Sequence, residues 1–392
     1  VKASPQRLAR ALLLDWFSLA LRAVEGRARV RIALAAPDIT ALLSGYRAVA
    51  VFAVGKAASR MTLGACDALG PRIRRALVIT RDGHADAELR GCRGVTVIES
   101  AHPVPDERSL AAGARLLAGF EALAPDELPL LLVSGGASSL VEVLPPGVTL
   151  AELASLNRAL LAEGATIDAI NARRRQLSLI KGGALMARLG GRIALALFIS
   201  DVPHDDPAVI GSGLAGPAPG DRVQRRVIAG IDDAIDAVRA AALTKGFRVH
   251  AGTRRFAQDA ATLGARFAAE LVGRSMDVVI HGGESTVGLP RAPGRGGRNQ
   301  HLALAAARVL SGEPGLALLA AGTDGTDGST DDAGALVDGD TWQRIADAGL
   351  DGDDCLGRAD SGTALEASGG LIHTGATGTN VGDLVIGLAR MV

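Results

Sequence analysis

At 392 residues, with 48% hydrophobic and 21% charged residues, the chain is too long for one ordinary core and too apolar to be disordered, so two domains are expected. Lysine plus arginine (42) balances aspartate plus glutamate (42), which excludes an overall field favouring nucleic acid or an anionic membrane. Aromatic residues are only 3%, so the cores must be built from Leu, Val, Ile and Ala, and with 50 glycines no single glycine is strong evidence.

The chain opens with helix. Leu8, Leu12, Phe17, Leu19 and Leu21 fit a helical pattern running to about Val24. Residues 11–21 are apolar but too short to span a bilayer, and Asp15 interrupts them. No signal peptide is visible, and Cys66, Cys92 and Cys355 form neither a CxxC pair nor a metal spacing. A cytoplasmic protein with reduced thiols is expected. Residues 48–54 then read as a buried strand ending in Gly55-Lys56 and opening a helix. Lysine is rare here (Lys2, Lys56, Lys181 and Lys245 only), and a lysine at a strand's carboxyl end beside a helix start suits a phosphate or carboxylate. A surface lysine after a strand is the plainer alternative. The segment is not a P-loop, since the GxxxxGK[ST] spacing is absent.

Strands are expected at residues 76–80 and 95–100, the second leading into His102-Pro103-Val104-Pro105-Asp106, with Asp106 as a helix N-cap. His102 fits a substrate contact and a buried backbone partner equally well. A strand at 130–133 runs into Ser134-Gly135-Gly136-Ala137-Ser138-Ser139, whose successive amides and hydroxyls suit an anion. No glycine stands where a GxSxG nucleophile elbow needs it. Residues 171–189 read as a helix with Arg174, Ser178 and Lys181 on one face, more often a solvated basic face than an anion site. Gly182-Gly183 signals close packing or a break in it.

A strand at 193–199 ends in Ser200-Asp201-Val202-Pro203-His204-Asp205-Asp206, carboxylates suited to Mg²⁺, to proton abstraction or to plain turn chemistry. Gly211 to Gly216 matches GxGxxG, but no strand leads into it and Pro217 and Pro219 follow, which argues against a dinucleotide fingerprint. Residues 223–243 read as an amphipathic helix, and 245–253 as a boundary between an N-terminal domain (1–247) and a C-terminal one (248–392). There, a helix at 257–272 and a strand at 277–280 precede His281-Gly282-Gly283-Glu284. A basic Gly/Pro loop then leads through Arg298-Asn299-Gln300 into a helix at 302–310, an arrangement able to clamp a phosphoryl oxygen. An apolar strand next breaks into Gly322-Thr323-Asp324-Gly325-Thr326-Asp327-Gly328, where Asp324 and Asp327 could hold a hard cation or form Asx turns. Residues 374–383 are again Gly/Thr-rich ahead of a short apolar strand.

In order and spacing, VGKAA, HPVPDE, SGGASSL, LSLIKGG, ISDVPHDDPAVIGSG, GGEST, GRGGRNQ, AAGTDGTDGSTDDAGA and TGATGTNVGDL resemble the class II glycerate kinases, the glycerate 2-kinase family whose C-terminal half is called the MOFRL domain. The resemblance runs from about residue 8 to about residue 388. It implies an α/β protein of two domains, a larger Rossmann-like parallel-sheet N-terminal domain and a smaller α/β MOFRL-type C-terminal domain, with the active site in the interdomain cleft. It further implies ATP-dependent, Mg²⁺-assisted phosphorylation of D-glycerate at its 2-hydroxyl, and a homodimer as a common assembly. Its implicated lysine falls on Lys56 and its arginine on Arg298. SGLAGPAPG stands where the family more often has a plain SGP, and Ala376 where proline is commoner.

Direct phosphoryl transfer is the mechanism expected, carried by positioning and charge neutralisation. Lys56, Arg298 and Asp201 form the catalytic set. Ser134, Gly135, Gly136, Ser138, Ser139, Gly282, Gly283, Glu284, Asn299, Gly322 and Thr323 are candidates for holding ATP or glycerate, and Asp206, Asp324 and Asp327 for Mg²⁺. Which of the four aspartates takes the proton stays open in the sequence. A nicotinamide-dependent hydroxypyruvate or tartronate reductase has only the misplaced GxGxxG behind it. A non-catalytic small-anion-binding protein leaves the metal-compatible acids without a purpose.

Overall fold

The computed structural model describes residues 5–155, 177–273 and 275–389. Within them the chain packs as two units. One comprises Glu25–Gly230 and Gly378–Asn380; the other takes the residues up to Val24, Ile231–Thr377 and the residues from Val381 onward. The division expected between residues 247 and 248 is therefore displaced. The helix Ile231–Thr244 and the first helix, Pro5–Ala23, both pack with the second sheet. In the first helix the buried face is Ala9, Leu13, Trp16, Phe17, Ala20 and Val24, with Trp16 edge-on to Phe247 at 5.4 Å.

The first sheet consists of β1 (Ala48–Val54), β2 (Ile73–Arg81), β3 (Val95–Ser100), β4 (Glu127–Val133), β5 (Ile193–Ile199) and β6 (Arg222–Ala229). All its pairings are parallel, and the strand order is β3-β2-β1-β4-β5-β6. AVAVFAV, ELPLLLV and IALALFI form its centre because each is an almost wholly apolar run that can be covered on both faces, Glu127 standing only at the start of β4. The edge strands are more polar and partly exposed. This explains one misreading: RVQRRVIA lacks the apolar run of a central strand and was expected to be helix, yet it is edge strand β6, and helix starts only at Ile231. The order reverses between β1 and β4, so the carboxyl ends of these two strands form the crevice where such sheets bind ligands.

The helix expected at 171–189 is corrected where the structure describes it: residues 177–183 are turns, and among the described residues of that stretch only Ala184–Ala187 is helical. Gly182 (φ 59°) and Gly183 (φ 85°) take left-handed conformations, and their N–H groups donate to the carbonyls of Ser212 (3.0 Å) and Gly213 (2.9 Å). The GxGxxG segment is thus a turn packed on a second glycine pair. Arg174 lies outside the described residues.

The second sheet consists of β7 (Val249–Ala251), β8 (Val278–Gly283), β9 (Ala317–Gly322), β10 (Gly334–Asp338), β11 (Leu371–Ile372) and β12 (Asp383–Leu388), in the order β11-β10-β9-β12-β8-β7. Only β7–β8 is parallel. The helices Ala260–Val272 and Arg298–Leu310 cover it over a core of Phe256, Leu263, Phe267, Leu302, Ala306 and Leu310. Among the described residues no helix is long and apolar enough to cross a membrane.

Candidate active site

At the switch point of the first sheet, the turns after β1 and β4 are laced together. The Lys56 N–H donates to the Gly135 carbonyl (2.9 Å), the Ala57 N–H to Ser134 Oγ (3.0 Å), and the Ser134 N–H to the Val54 carbonyl (3.0 Å). Gly55, at φ 133°, is needed because a side chain there would collide with Ser134. Gly136 (φ 85°) starts the short helix Ala137–Leu140, and a Cβ on it would come within 3.2 Å of both Lys56 Cγ and His102 Cδ2. The lysine and the histidine thus face the same glycine. Asp201, just past β5, reaches this turn as well. Its Oδ2 accepts from Asn380 Nδ2 at 3.0 Å, and these two atoms fill the space a side chain on Gly135 would take.

The amides of Gly135 and Gly136 make no hydrogen bond within the described residues, so they fit the expected anion cradle. The loop's hydroxyls fit less well than expected. Ser134 Oγ is engaged with Ala57, and buried Ser139 donates to the Gly136 carbonyl at 3.2 Å. Ser138 contributes its carbonyl, which accepts from Lys181 Nζ at 2.7 Å. Lys181 is no solvated cation: its side chain is 3% exposed and paired with the fully buried carboxylate of Glu142, which also takes the Ser178 hydroxyl at 2.5 Å.

The second unit gathers a different group around Arg298, at the start of its helix. Arg298 Nε and Nη2 donate to the two oxygens of Asp383 at 2.6 and 3.0 Å, and Nη2 also pairs with Glu284 at 2.6 Å. Burial opposes its charge, but the carboxylates of Asp383 and Glu284 outweigh that and hold its pKa well above the ordinary arginine value. The side chain keeps 37% of its surface exposed. Asp383 is buried at the head of β12, in register with Gly283 on one side and Gly322 on the other. Above Gly322, Asp383 Oδ1 and Asp324 Oδ1 converge, 3.6 and 3.1 Å from where a Cβ would stand.

Several groups expected to contact a ligand already have partners in the protein. The amides of Gly282 and Glu284 already donate to the Thr253 (2.9 Å) and Phe256 (2.7 Å) carbonyls, and Gly283 packs its backbone against Phe256. The Gly322 and Thr323 amides donate to Ala333 (2.7 Å) and Gly382 (3.0 Å), and the Thr323 hydroxyl to Gly382 (2.6 Å). Asn299 is buried, its amide donating to Asp327 at 3.0 Å. These backbone groups are engaged within the protein.

The three aspartates expected to hold Mg²⁺ each make hydrogen bonds within their own unit. Asp327 is an inward helix cap, its two oxygens taking the amides of Asn299 (3.0 Å) and Gln300 (2.8 Å), and burial pushes its pKa up to about 7. Asp206, on an exposed turn, accepts from the Ala208 amide at 2.8 Å, and Asp324 from Thr326 at 3.0 and 3.1 Å. Among the described residues no three His, Cys, Asp or Glu side chains group as a metal site.

With this geometry in view, two family descriptions match: a domain of unknown function, DUF4147, over residues 12–241, and the MOFRL family over residues 277–383. A protein named D-glycerate 2-kinase from Thermotoga maritima is 37% identical, over 87% of this chain and 90% of its own length. The chain belongs to the glycerate 2-kinase family. A crystal structure of glycerate kinase from Thermotoga maritima superposes with a TM-score of 0.83 at 34% identity, covering 98% of this chain and 99% of that one. A relative from Agrobacterium vitis, 36% identical over 85% of this chain and 97% of its own length, bears a hydroxypyruvate reductase name that is itself given with a qualifier.

Within this family member, sequence reasoning missed Asp383 and Asn380. Both stand in TGTNVGDL, read only as the approach to a strand. A lone acid opening an otherwise apolar strand was the available signal, since such a residue is seldom buried without a cationic partner.

Proposed function

We propose that the protein phosphorylates D-glycerate at its 2-hydroxyl, with ATP as phosphoryl donor. The observation that carries this is the turn pair after β1 and β4, where Lys56, Asp201 and two uncommitted amides converge on Gly135 and Gly136. In the transfer, the 2-hydroxyl oxygen bonds to the γ-phosphorus as the bond from that phosphorus to the β,γ-bridging oxygen breaks. ADP leaves with the bond's electron pair, and the hydroxyl proton passes to Asp201. The Gly135 and Gly136 amides and Lys56 hold and neutralise the anionic oxygens. Arg298 supplies a guanidinium whose charge and orientation are fixed by Asp383 and Glu284. No step is assigned to a metal, because the carboxylates expected to bind one are engaged as caps and turns.

The test is ADP release from MgATP with and without D-glycerate, coupled to enolase without a mutase. Glycerate-dependent ADP and an immediate enolase signal support the proposal. Lys56→Ala and Arg298→Ala should each lower kcat by about 10²–10³-fold, the scale of losing one charge-stabilising group. ADP without the enolase signal would move phosphorylation to the 3-hydroxyl. The reductase reading requires NAD(P)H consumption on hydroxypyruvate, and the glycine turn at Gly211–Gly213 that would have to bind the dinucleotide has no strand leading into it.

A further inference from the structure

We propose that Asn380 is a positioning residue that sets the orientation of the Asp201 carboxylate for proton acceptance. The inference rests on the kinase reading above, in which Asp201 takes the hydroxyl proton. A carboxylate at a strand's end can turn about its terminal torsion, and proton transfer is steeply sensitive to that angle. Here one of its oxygens accepts from the amide nitrogen of Asn380 at 3.0 Å. The two bonded atoms lie directly over the α-carbon of Gly135, where any larger residue would displace them. The amide thus holds the carboxylate against the same peptide that presents the anion cradle.

Asn380 is itself well anchored. The short segment Gly378–Asn380 packs as part of the first sheet's unit. The Gly378 carbonyl accepts from the Gly26 amide at 3.2 Å. Gly378 takes φ 76°, and a side chain on it would run into the stem of Arg60. That stem is fixed in turn by Glu25 at 2.8 Å and Asp86 at 3.1 Å. A polar side chain held this firmly on one carboxylate oxygen costs ordering entropy that needs a return. Orientation of the base supplies one.

The test is a double-mutant cycle in the glycerate-dependent ADP assay, with thermal unfolding run on every variant. Asn380→Ala should lower kcat by roughly 10–100-fold, less than the roughly 10²–10⁴-fold expected from losing the base itself, and leave both KM values within about twofold. Asn380→Asp, similar in shape but without the donor, should do at least as much. Asn380→Ser, which keeps a short donor, should recover part of the loss. In an Asp201→Asn background, adding Asn380→Ala should cost nothing more, because the residue acts only through Asp201. Equal losses in both backgrounds, or a change confined to KM, would overturn the inference while leaving the kinase standing. A wild type without glycerate-dependent ADP would instead overturn the kinase reading, and this inference with it.

Discussion

The imidazole of His281 stacks on Phe267 with ring centroids 3.9 Å apart, and its Nδ1 accepts the Thr253 amide at 3.1 Å. Nε2 stands 3.1 Å from Glu270, which assigns the proton of a neutral ring to Nε2. Burial first, and the charges of His250 and Arg266 second, push its pKa down to about 3. Between that value and the ordinary 6.5, the unfolded chain binds a proton that the folded chain does not. This contribution to stability is therefore full above pH 6.5 and lost as pH falls toward 3, by about 1.4 kcal/mol per pH unit. Urea unfolding of His281→Gln beside the wild type, at pH 7 and pH 5, should show the variant losing less stability on acidification. At the same scale, Lys56 was singled out because lysine is rare in this chain and Arg298 because it opens a helix, and the structure places the first beside Gly136 and the second on Asp383. The roles of Asp327, Thr323 and Gly282 were not, since a glycine or aspartate in a turn has the same letters whether its polar groups face a ligand or the protein.

Between the loop after β4 and the turn at residues 177–183, Lys181 and Glu142 form a buried pair that also ties down the Ser138 carbonyl. Removing one partner leaves the other charged and buried, which typically costs 3–5 kcal/mol. Lys181→Met should therefore lower the thermal midpoint sharply, and Lys181→Met with Glu142→Leu should regain much of the loss, as read by calorimetry of both variants. Spacing alone made Lys181 a surface cation, because periodicity cannot distinguish a helix face from a turn folded inward. The central strands were legible for the complementary reason: an uninterrupted apolar run of seven residues, as in β1, has few other places to go. Edge strand β6 was not, because its partly exposed residues share their alternation of polar and apolar groups with a surface helix.

The whole molecule divides in space without dividing in sequence order. The first helix and the helix Ile231–Thr244 cover the second sheet, and Arg10 reaches Asp338 at 3.2 Å and the Gly369 carbonyl at 2.9 Å. A fragment of residues 248–392 lacks both helices and exposes the apolar surface they bury. It should precipitate or bind ANS. A fragment from residue 231 onward, fused by a flexible linker to residues 1–24, should instead melt cooperatively in circular dichroism. Two domains were predictable from length, but not this interleaving, because contacts between distant helices and strands leave no periodic mark.

The hydrogen bond from Asn380 to Asp201 joins positions 179 residues apart. Closing a loop of that length costs about 4–5 kcal/mol of chain entropy beyond a constant, far more than one hydrogen bond returns. The bond cannot lead folding and must wait until the surrounding packing has already brought its ends together. During synthesis, the β1 and β4 turns leave the ribosome well before Asn380 does, so a nascent chain can own its anion loop while its base still lacks an orienting partner. On the role proposed for Asn380, the full rate of phosphoryl transfer is then reached only once this late contact has formed.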